Sequence, residues 1–198
     1  MNKNIDLILA SASPRRSEIL TSLGIDFRVL VSDADENSNA TDAGKHVEDI
    51  ARAKCEAVAN SLGGVDALKD STMVLAADTL VVLDGEFMGK PADASDAAKM
   101  LAGLSDREHF VVTGIAVCFD GRIETAHEKT FVRFAKMTDA DIKNYVDSGE
   151  PFGKAGAYAI QGRGARYIAG IDGDYFNVVG LPAHKVFELV REKFGVEL

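Results

Sequence analysis

Apolar residues along this 198-residue chain fall into two patterns: short continuous runs rich in β-branched side chains, and stripes that return every three or four positions. The central run is Met73-Val74-Leu75-Ala76-Ala77-Asp78-Thr79-Leu80-Val81-Val82-Leu83, interrupted only by Asp78 and Thr79. Such a run reads as a strand covered on both faces. Ile5 to Ala10, Phe27 to Val31 and His109 to Phe119 read as further strands. Asp84-Gly85 and Asp120-Gly121 stand between apolar segments and predict tight hairpins, the second leading to a return strand through Phe131-Val132-Arg133-Phe134. Two such hairpins make the sheet antiparallel or mixed, not purely parallel. Arg166 to Ile171 and Tyr175 to Val179, on either side of Asp172-Gly173, read as a last hairpin.

The helical stripes lie between these runs. Ser13 suits an N-cap and Pro14 a first helical position; Ile19, Leu20 and Leu23 follow, and Gly24 ends the helix. A longer helix is predicted over Ala43 to Ser61, with Val47, Ile50, Ala51 and Val58 on one face. Asp93 or Ser95 caps a helix whose stripe is Ala97, Met100, Leu101 and Leu104. Thr138 with Asp141 forms a capping box for a short helix bearing Ile142, Tyr145 and Val146, stopped by Gly149 and Pro151. Pro182 opens a C-terminal helix with Val186, Leu189 and Val190 on one face. The elements amount to an α/β fold: a mixed sheet with flanking helices, in one domain over 1–198.

Composition narrows the class. The apolar share of 46% and the charged share of 27% suit a soluble globular protein with a substantial core. A net charge of −9 argues against general binding to nucleic acid or to anionic membranes, which use basic surfaces. A local basic pocket for a small anion remains compatible with it. Cys55 and Cys118 have neither zinc-ligand spacing nor a disulfide framework, so buried free thiols in a reducing cytoplasm are expected. The run at Ile5 to Ala10 is too short for a membrane span and lacks a secretory cleavage pattern. No Walker loop, Gly-x-Gly-x-x-Gly, His-Glu-x-x-His or Gly-x-Ser-x-Gly motif is present.

Several charges stand in unusual places. Asp78 interrupts a buried strand, where an ionised carboxylate costs several kcal/mol unless a cation or dense hydrogen bonding compensates it. Arg15 and Arg16 add positive charge to a helix start that is already positive; one of them paired with an acid is ordinary, but both together point to a bound phosphate. Glu36 closes the acidic turn Asp33-Ala34-Asp35-Glu36. Lys54 falls on the apolar face of its helix, seven residues after Val47 and four before Val58. Spacing leaves two readings of it open, a lysine snorkelling from the stripe edge and an ammonium directed at Asp78. Lys90, before Pro91, either reaches toward Asp78 or is plain surface. The small residues from Phe152 to Gly162 favour a tight structural loop, in which Gln161 can both donate and accept toward a base edge. A carboxylate pair with several cations suits metal-assisted hydrolysis of a phosphate ester or anhydride.

Six motifs go further. Ala10-Ser11-Ala12-Ser13-Pro14-Arg15-Arg16, Ala77-Asp78-Thr79, Lys90-Pro91, His109 through Thr113-Gly114, Lys154-Ala155-Gly156-Ala157-Tyr158-Ala159-Ile160-Gln161-Gly162 and Val178-Val179-Gly180-Leu181-Pro182 resemble, in order and spacing, the Maf family of nucleoside triphosphate pyrophosphatases. The segment ending in Gln161-Gly162 resembles the family's dTTP/UTP branch, with Gly153 where that branch usually has Asp. The resemblance implies an inosine triphosphate pyrophosphatase-like fold, two lobes around a deep cleft, and a cytoplasmic homodimer. It implies cleavage of a nucleoside triphosphate to the monophosphate and pyrophosphate with a divalent cation, Mg²⁺ or Mn²⁺. By position, Asp78 is then the proton acceptor, and Glu36, Lys54 and Lys90 hold metal and phosphates, with Glu36 and Asp78 as the metal carboxylates. Arg15, Thr79 and Gln161 become the substrate-binding positions. Two other readings compete: a nucleotide-binding regulator, for instance of septation, with little turnover, and an inosine-triphosphatase-like specificity on the same chemistry.

Overall fold

The computed structural model describes residues 5–68 and 71–198. The part of the polar connection at 69–70 lies outside the described residues. In chain order the elements are β1 (Asp6–Leu9), α1 (Pro14–Ser22), β2 (Phe27–Val29), α2 (Ala43–Ser61), β3 (Thr72–Leu83), β4 (Glu86–Met88), α3 (Ala94–Leu104), β5 (Glu108–Phe119), β6 (Arg122–Phe134), α4 (Asp139–Asp147), β7 (Ile168–Asp172), α5 (Tyr175–Val179) and α6 (Ala183–Phe194), with short 3-10 segments between some of them. The strands form a seven-stranded mixed sheet in the order β2-β1-β3-β5-β6-β7, with β4 on β3. β1 runs parallel to β2 and to β3, while β4 pairs antiparallel with β3 and β7 with β6. The mixed α/β architecture expected from the hydrophobic pattern is present.

The chain divides into two compact units. One holds Met1–Asp78, Thr113–Glu128 and Gly180–Leu198; the other holds Thr79–Val112 and Lys129–Val179. In the first unit Leu7, Ile8 and Leu9 of β1 are 1% exposed or less, as a strand flanked on both sides requires. α2 packs onto this sheet over Ala51, Cys55, Val58 and Ala59, against Ile8, Val74, Ala76 and Ala116. Its approach is set by Gly114 on β5. A Cβ there would lie 2.4 Å from the carbonyl carbon and oxygen of Val47, so helix backbone rests directly on strand backbone. Asp42 starts the helix, its side chain accepting from the Lys45 N–H at 2.8 Å.

The second unit has its own core, in which Val81, Leu101, Leu104, Val111, Phe134, Tyr145 and Tyr158 pack together. Asp84 (φ 52°) and Gly85 (φ 84°) make the β3–β4 turn, both left-handed as a two-residue hairpin loop of this kind needs. Thr138 and Asp141 form the expected capping box on α4.

One expectation fails. Tyr175–Val179 is a short helix, not a strand. β7 pairs with β6, Phe131 opposite Asp172 and Phe134 opposite Ile168. The buried Thr130 captures the chain just beyond β7: its hydroxyl accepts from the Asp174 N–H and donates to the Asp174 carbonyl, both at 3.0 Å. The Asp174 side chain then caps the N–H of Phe176 at 2.7 Å, and Asn177 donates to Thr130 and to the Val111 carbonyl. These long-range bonds outweigh the β-propensity of Tyr-Phe-Asn-Val-Val. Among the described residues no helix is long and apolar enough to cross a membrane.

Candidate functional site

Lys54 is the centre of a charge cluster in the first unit. It lies on the buried face of α2 and is 9% exposed. Its Nζ donates to Oδ1 of Asp78 at 2.8 Å and pairs with Oε1 of Glu36 at 2.8 Å. The side chains of Lys54 and Asp78 are only 11% and 18% exposed, that of Glu36 52%. Of the two readings open for Lys54, the one directed at Asp78 holds. The compensation that a carboxylate inside β3 requires is this ammonium.

Local chemistry brings each member into place. The Gly114 contact and the Cys55 thiol against the Val74 carbonyl at 3.5 Å set the register of α2 on the sheet, and with it Lys54 beside Asp78. Glu36 comes from a segment without regular structure. Two residues on, the Ser38 hydroxyl donates to Asp49 of α2 at 3.1 Å and accepts from the Ala40 N–H at 3.1 Å, pinning the acidic turn to the helix that carries Lys54.

The two arginines of α1 differ. Arg16 is half-buried and held by protein atoms: Nε donates to the Gly180 carbonyl at 2.8 Å and Nη1 to the Ser11 hydroxyl at 2.9 Å. Burial lowers the Arg16 guanidinium from its ordinary range, while Asp78 and Glu36 oppose that shift and Arg15 adds to it. Ser11 also accepts from the Ser13 N–H at 3.2 Å, so the first turn of α1, with Pro14 at its start, is tied down around Arg16. Arg15 is half-buried beside it.

Thr79, Lys90 and Gln161 belong to the second unit. Thr79 is half-buried on β3. Lys90 is exposed after β4. The Gly89 carbonyl accepts from the Gly156 N–H at 3.0 Å, and a Cβ on Gly156 (φ +67°) would sit 3.0 Å from Val81, so the 155–157 turn lies against β3 two residues past Thr79. Gln161 is exposed at the start of the 3-10 segment Gly162–Tyr167. Beneath this loop, buried His109 and Tyr158 share a hydrogen bond of 2.7 Å. Burial depresses the His109 imidazole to about 4 and raises the Tyr158 hydroxyl.

Sequence reasoning gives His109 and Tyr158 no role at the site and misses Glu150, which accepts from Tyr145, Arg163 and Gly164. No periodic or local pattern connects Glu150 to Arg163 and Gly164, 13 and 14 positions on, or His109 to Tyr158, 49 positions on. The one available signal was the pair of glycines at 162 and 164. For a metal, Glu36 and Asp78 supply two carboxylates, both beside Lys54. That set fits a hard divalent cation that keeps waters and shares phosphate oxygens. Among the described residues no three His, Cys, Asp or Glu side chains gather into a closed site.

Comparison with known proteins agrees in scope. A model of the family described as Maf-like protein matches residues 6–193. The dTTP/UTP pyrophosphatase of Moorella thermoacetica is 50% identical over 194 residues, 97% of this chain and 96% of that one. That of Symbiobacterium thermophilum is 48% identical, covering 96% and 94% of the two chains, and that of Caldanaerobacter subterraneus is 44% identical, covering 96% and 90%. Among solved structures, the Staphylococcus aureus Ham1 protein is matched with a TM-score of 0.49 at 18% identity over 82% of this chain and 79% of that one. With a family model spanning nearly every residue and 44–50% identity over nine-tenths or more of both chains, this protein belongs to the Maf-like protein family.

Proposed function

We propose that the chain is a nucleoside triphosphate pyrophosphatase that hydrolyses dTTP and UTP to the monophosphate and pyrophosphate. The observation that carries this reading is the 44–50% identity, over nine-tenths or more of both chains, with the dTTP/UTP pyrophosphatases of three bacteria. The Lys54 cluster supplies chemistry of the right kind. In this reading Asp78 takes the proton of the attacking water, and Lys54 orients the carboxylate through its 2.8 Å bond. Glu36 and Asp78 hold a divalent cation, which supplies charge stabilisation to the leaving pyrophosphate when bound. Lys54 and Lys90 meet the phosphates, and Arg15 adds charge at the start of α1. Thr79 and Gln161 contact the nucleoside. A uracil or thymine ring offers two carbonyl acceptors and one N–H, which a carboxamide complements. The whole chain, 1–198, works as one catalytic domain, in a cytoplasmic homodimer.

The test is a panel of UTP, dTTP, CTP, ATP, GTP and ITP with Mg²⁺ or Mn²⁺, the products separated by phosphorus NMR. Pyrophosphate and monophosphate from UTP and dTTP are expected. Orthophosphate would mean that another bond is cut, and folded protein that turns over none of the six would sink the assignment.

A further inference from the structure

Two side chains given no role above hold the loop that carries Gln161. Glu150 lies just beyond α4. Its Oε1 accepts from the Tyr145 hydroxyl and from the Gly164 N–H, each at 2.9 Å, and its Oε2 accepts from the Arg163 N–H at 2.9 Å. The Tyr145 hydroxyl in turn accepts from the Ala159 N–H at 3.1 Å. Backbone on both sides of Gln161 therefore ends on one carboxylate–phenol pair.

The geometry is close-fitting. A Cβ on Gly162 (φ +72°) would lie 2.6 Å from Oε2 of Glu150. A Cβ on Gly164 would lie 2.3 Å from the Ala159 carbonyl oxygen and 2.5 Å from the Tyr145 hydroxyl. A side chain at either position collides, so glycine stands on both sides of Arg163 where the chain wraps the carboxylate. Tyr145 is 3% exposed and cannot swing away. Burial by itself would raise the Glu150 carboxyl, but the Arg163 and Gly164 N–H groups, the Tyr145 hydroxyl and Lys154 together hold it below its ordinary range.

The consequence concerns Gln161. A helical start leaves N–H groups that the residue at the cap position ordinarily satisfies with its own side chain. Gln161 occupies that position for the segment Gly162–Tyr167, yet its side chain makes no capping bond. Glu150 satisfies those groups instead. The carboxamide of Gln161 is thereby left out of the cap and exposed, with its donor and acceptor capacity uncommitted there.

We infer that Glu150, together with Tyr145, is a positioning residue for pyrimidine selectivity: it caps the Gly162–Tyr167 segment in place of Gln161 and fixes the backbone from which the Gln161 carboxamide reads the base. This rests on the assignment of Gln161 to the nucleoside made above. Misplacing a recognition group by about 1 Å costs up to ~10²-fold in rate, and a site built to hydrogen-bond its substrate loses discrimination steeply when that bond is lost.

The test compares wild type with Gln161→Ala, Glu150→Gln, Tyr145→Phe and the double variant Gln161→Ala/Glu150→Gln. The readout is the ratio of kcat/KM for UTP to that for CTP, which differ only at the base edge. Gln161→Ala and Glu150→Gln are each expected to lower the ratio about tenfold, and the double variant no further than Gln161→Ala. A purely structural Glu150 would slow both substrates alike and leave the ratio at the wild-type value, which would overturn the inference while the pocket assignment stands. If Gln161→Ala keeps the wild-type ratio, Gln161 does not read the base, and the pocket assignment falls together with the inference. If Glu150→Gln loses its folded circular dichroism spectrum, Tyr145→Phe, which keeps the carboxylate and removes one donor to it together with the acceptor of the Ala159 N–H, decides by the same criterion.

Discussion

Replacing Asp78 by asparagine asks whether the carboxylate in the middle of β3 serves chemistry or the fold. Asparagine keeps the shape, and its carbonyl still accepts from Lys54; only the charge is removed. At the observed 2.8 Å and an effective dielectric of about 20, the ammonium–carboxylate attraction is ~6 kcal/mol. Removing the charge also removes the desolvation cost of a carboxylate that is only 18% exposed, which returns several kcal/mol. Lys54 is not stranded, because Glu36 stays at 2.8 Å. The terms nearly cancel, leaving an expected loss of about 1–2 kcal/mol, or a fall in Tm of about 2–8 °C for a chain of this size. Loss of a positioned proton acceptor is worth far more, a drop in turnover of about 10²–10⁴-fold. The assay is pyrophosphate release from saturating UTP with Mg²⁺, beside thermal melts and nucleotide binding by calorimetry. Turnover within threefold of wild type would remove Asp78 from the chemistry. A collapse in Tm that accounts for the lost activity would make it a structural ion-pair partner instead.

Other perturbations separate roles in the same way. Gly114→Ala places a methyl 2.4 Å from Val47 backbone and 2.6 Å from the Glu48 nitrogen, so it is expected to cost about 3 kcal/mol or more. Gly44→Ala meets the ring of His127 first, a side chain tied to Glu48 at 2.6 Å and not backbone, and is expected to cost less, about 1–2 kcal/mol; equal Tm values for the two variants would refute the backbone-contact argument. His109 is depressed from 6.5 to about 4, so the unfolded chain takes up its proton first as pH falls. The stability this neutral imidazole contributes is fully present above pH 6.5 and is lost between there and pH 4, about 3 kcal/mol in all. Melts of wild type and His109→Gln across that window check it, and parallel pH profiles would be the contrary result. Arg16→Ala removes the ties to Gly180 and Ser11 and is expected to lower Tm, whereas Arg15→Ala is expected to raise KM for UTP with little change in Tm; the reverse pattern would exchange their roles.

Some of this site was legible in the amino-acid sequence because its signals are local or energetically anomalous. Asp78 stood out because a carboxylate in an apolar strand demands compensation wherever the strand goes. Pro14 at the first helical position, the Thr138–Asp141 box and the Asp84-Gly85 and Asp120-Gly121 turns act within four residues, and each forms where the sequence places it, although the Ser13 side chain makes no capping bond. α2 spans the predicted Ala43–Ser61 because a nineteen-residue amphipathic stripe sums many small preferences into one answer. The motif order carried the family and the reaction, since independent segments at matching spacing rarely coincide.

What the sequence could not decide turns on partners distant along the chain. Helical spacing put Lys54 on the apolar face but left its target open; the Gly114 contact, sixty-seven residues from Val47, settled it by bringing α2 onto the sheet beside Asp78. The two arginines of α1 read alike until Gly180, 164 residues beyond Arg16, claimed one of them. Tyr175–Val179 has the composition of a strand, yet the hydroxyl of Thr130 turns it into a helix. No local pattern marks Glu150, and only the return of Arg163 and Gly164 to its carboxylate makes it the cap beneath Gln161. Local hydrogen bonds and periodic burial are written residue by residue, so the sequence alone determined the helices and all but the last of the strands it marked, the family and the anomalous carboxylate. Which buried donor meets which acceptor depends on how the elements pack, and that was decided only by the tertiary structure.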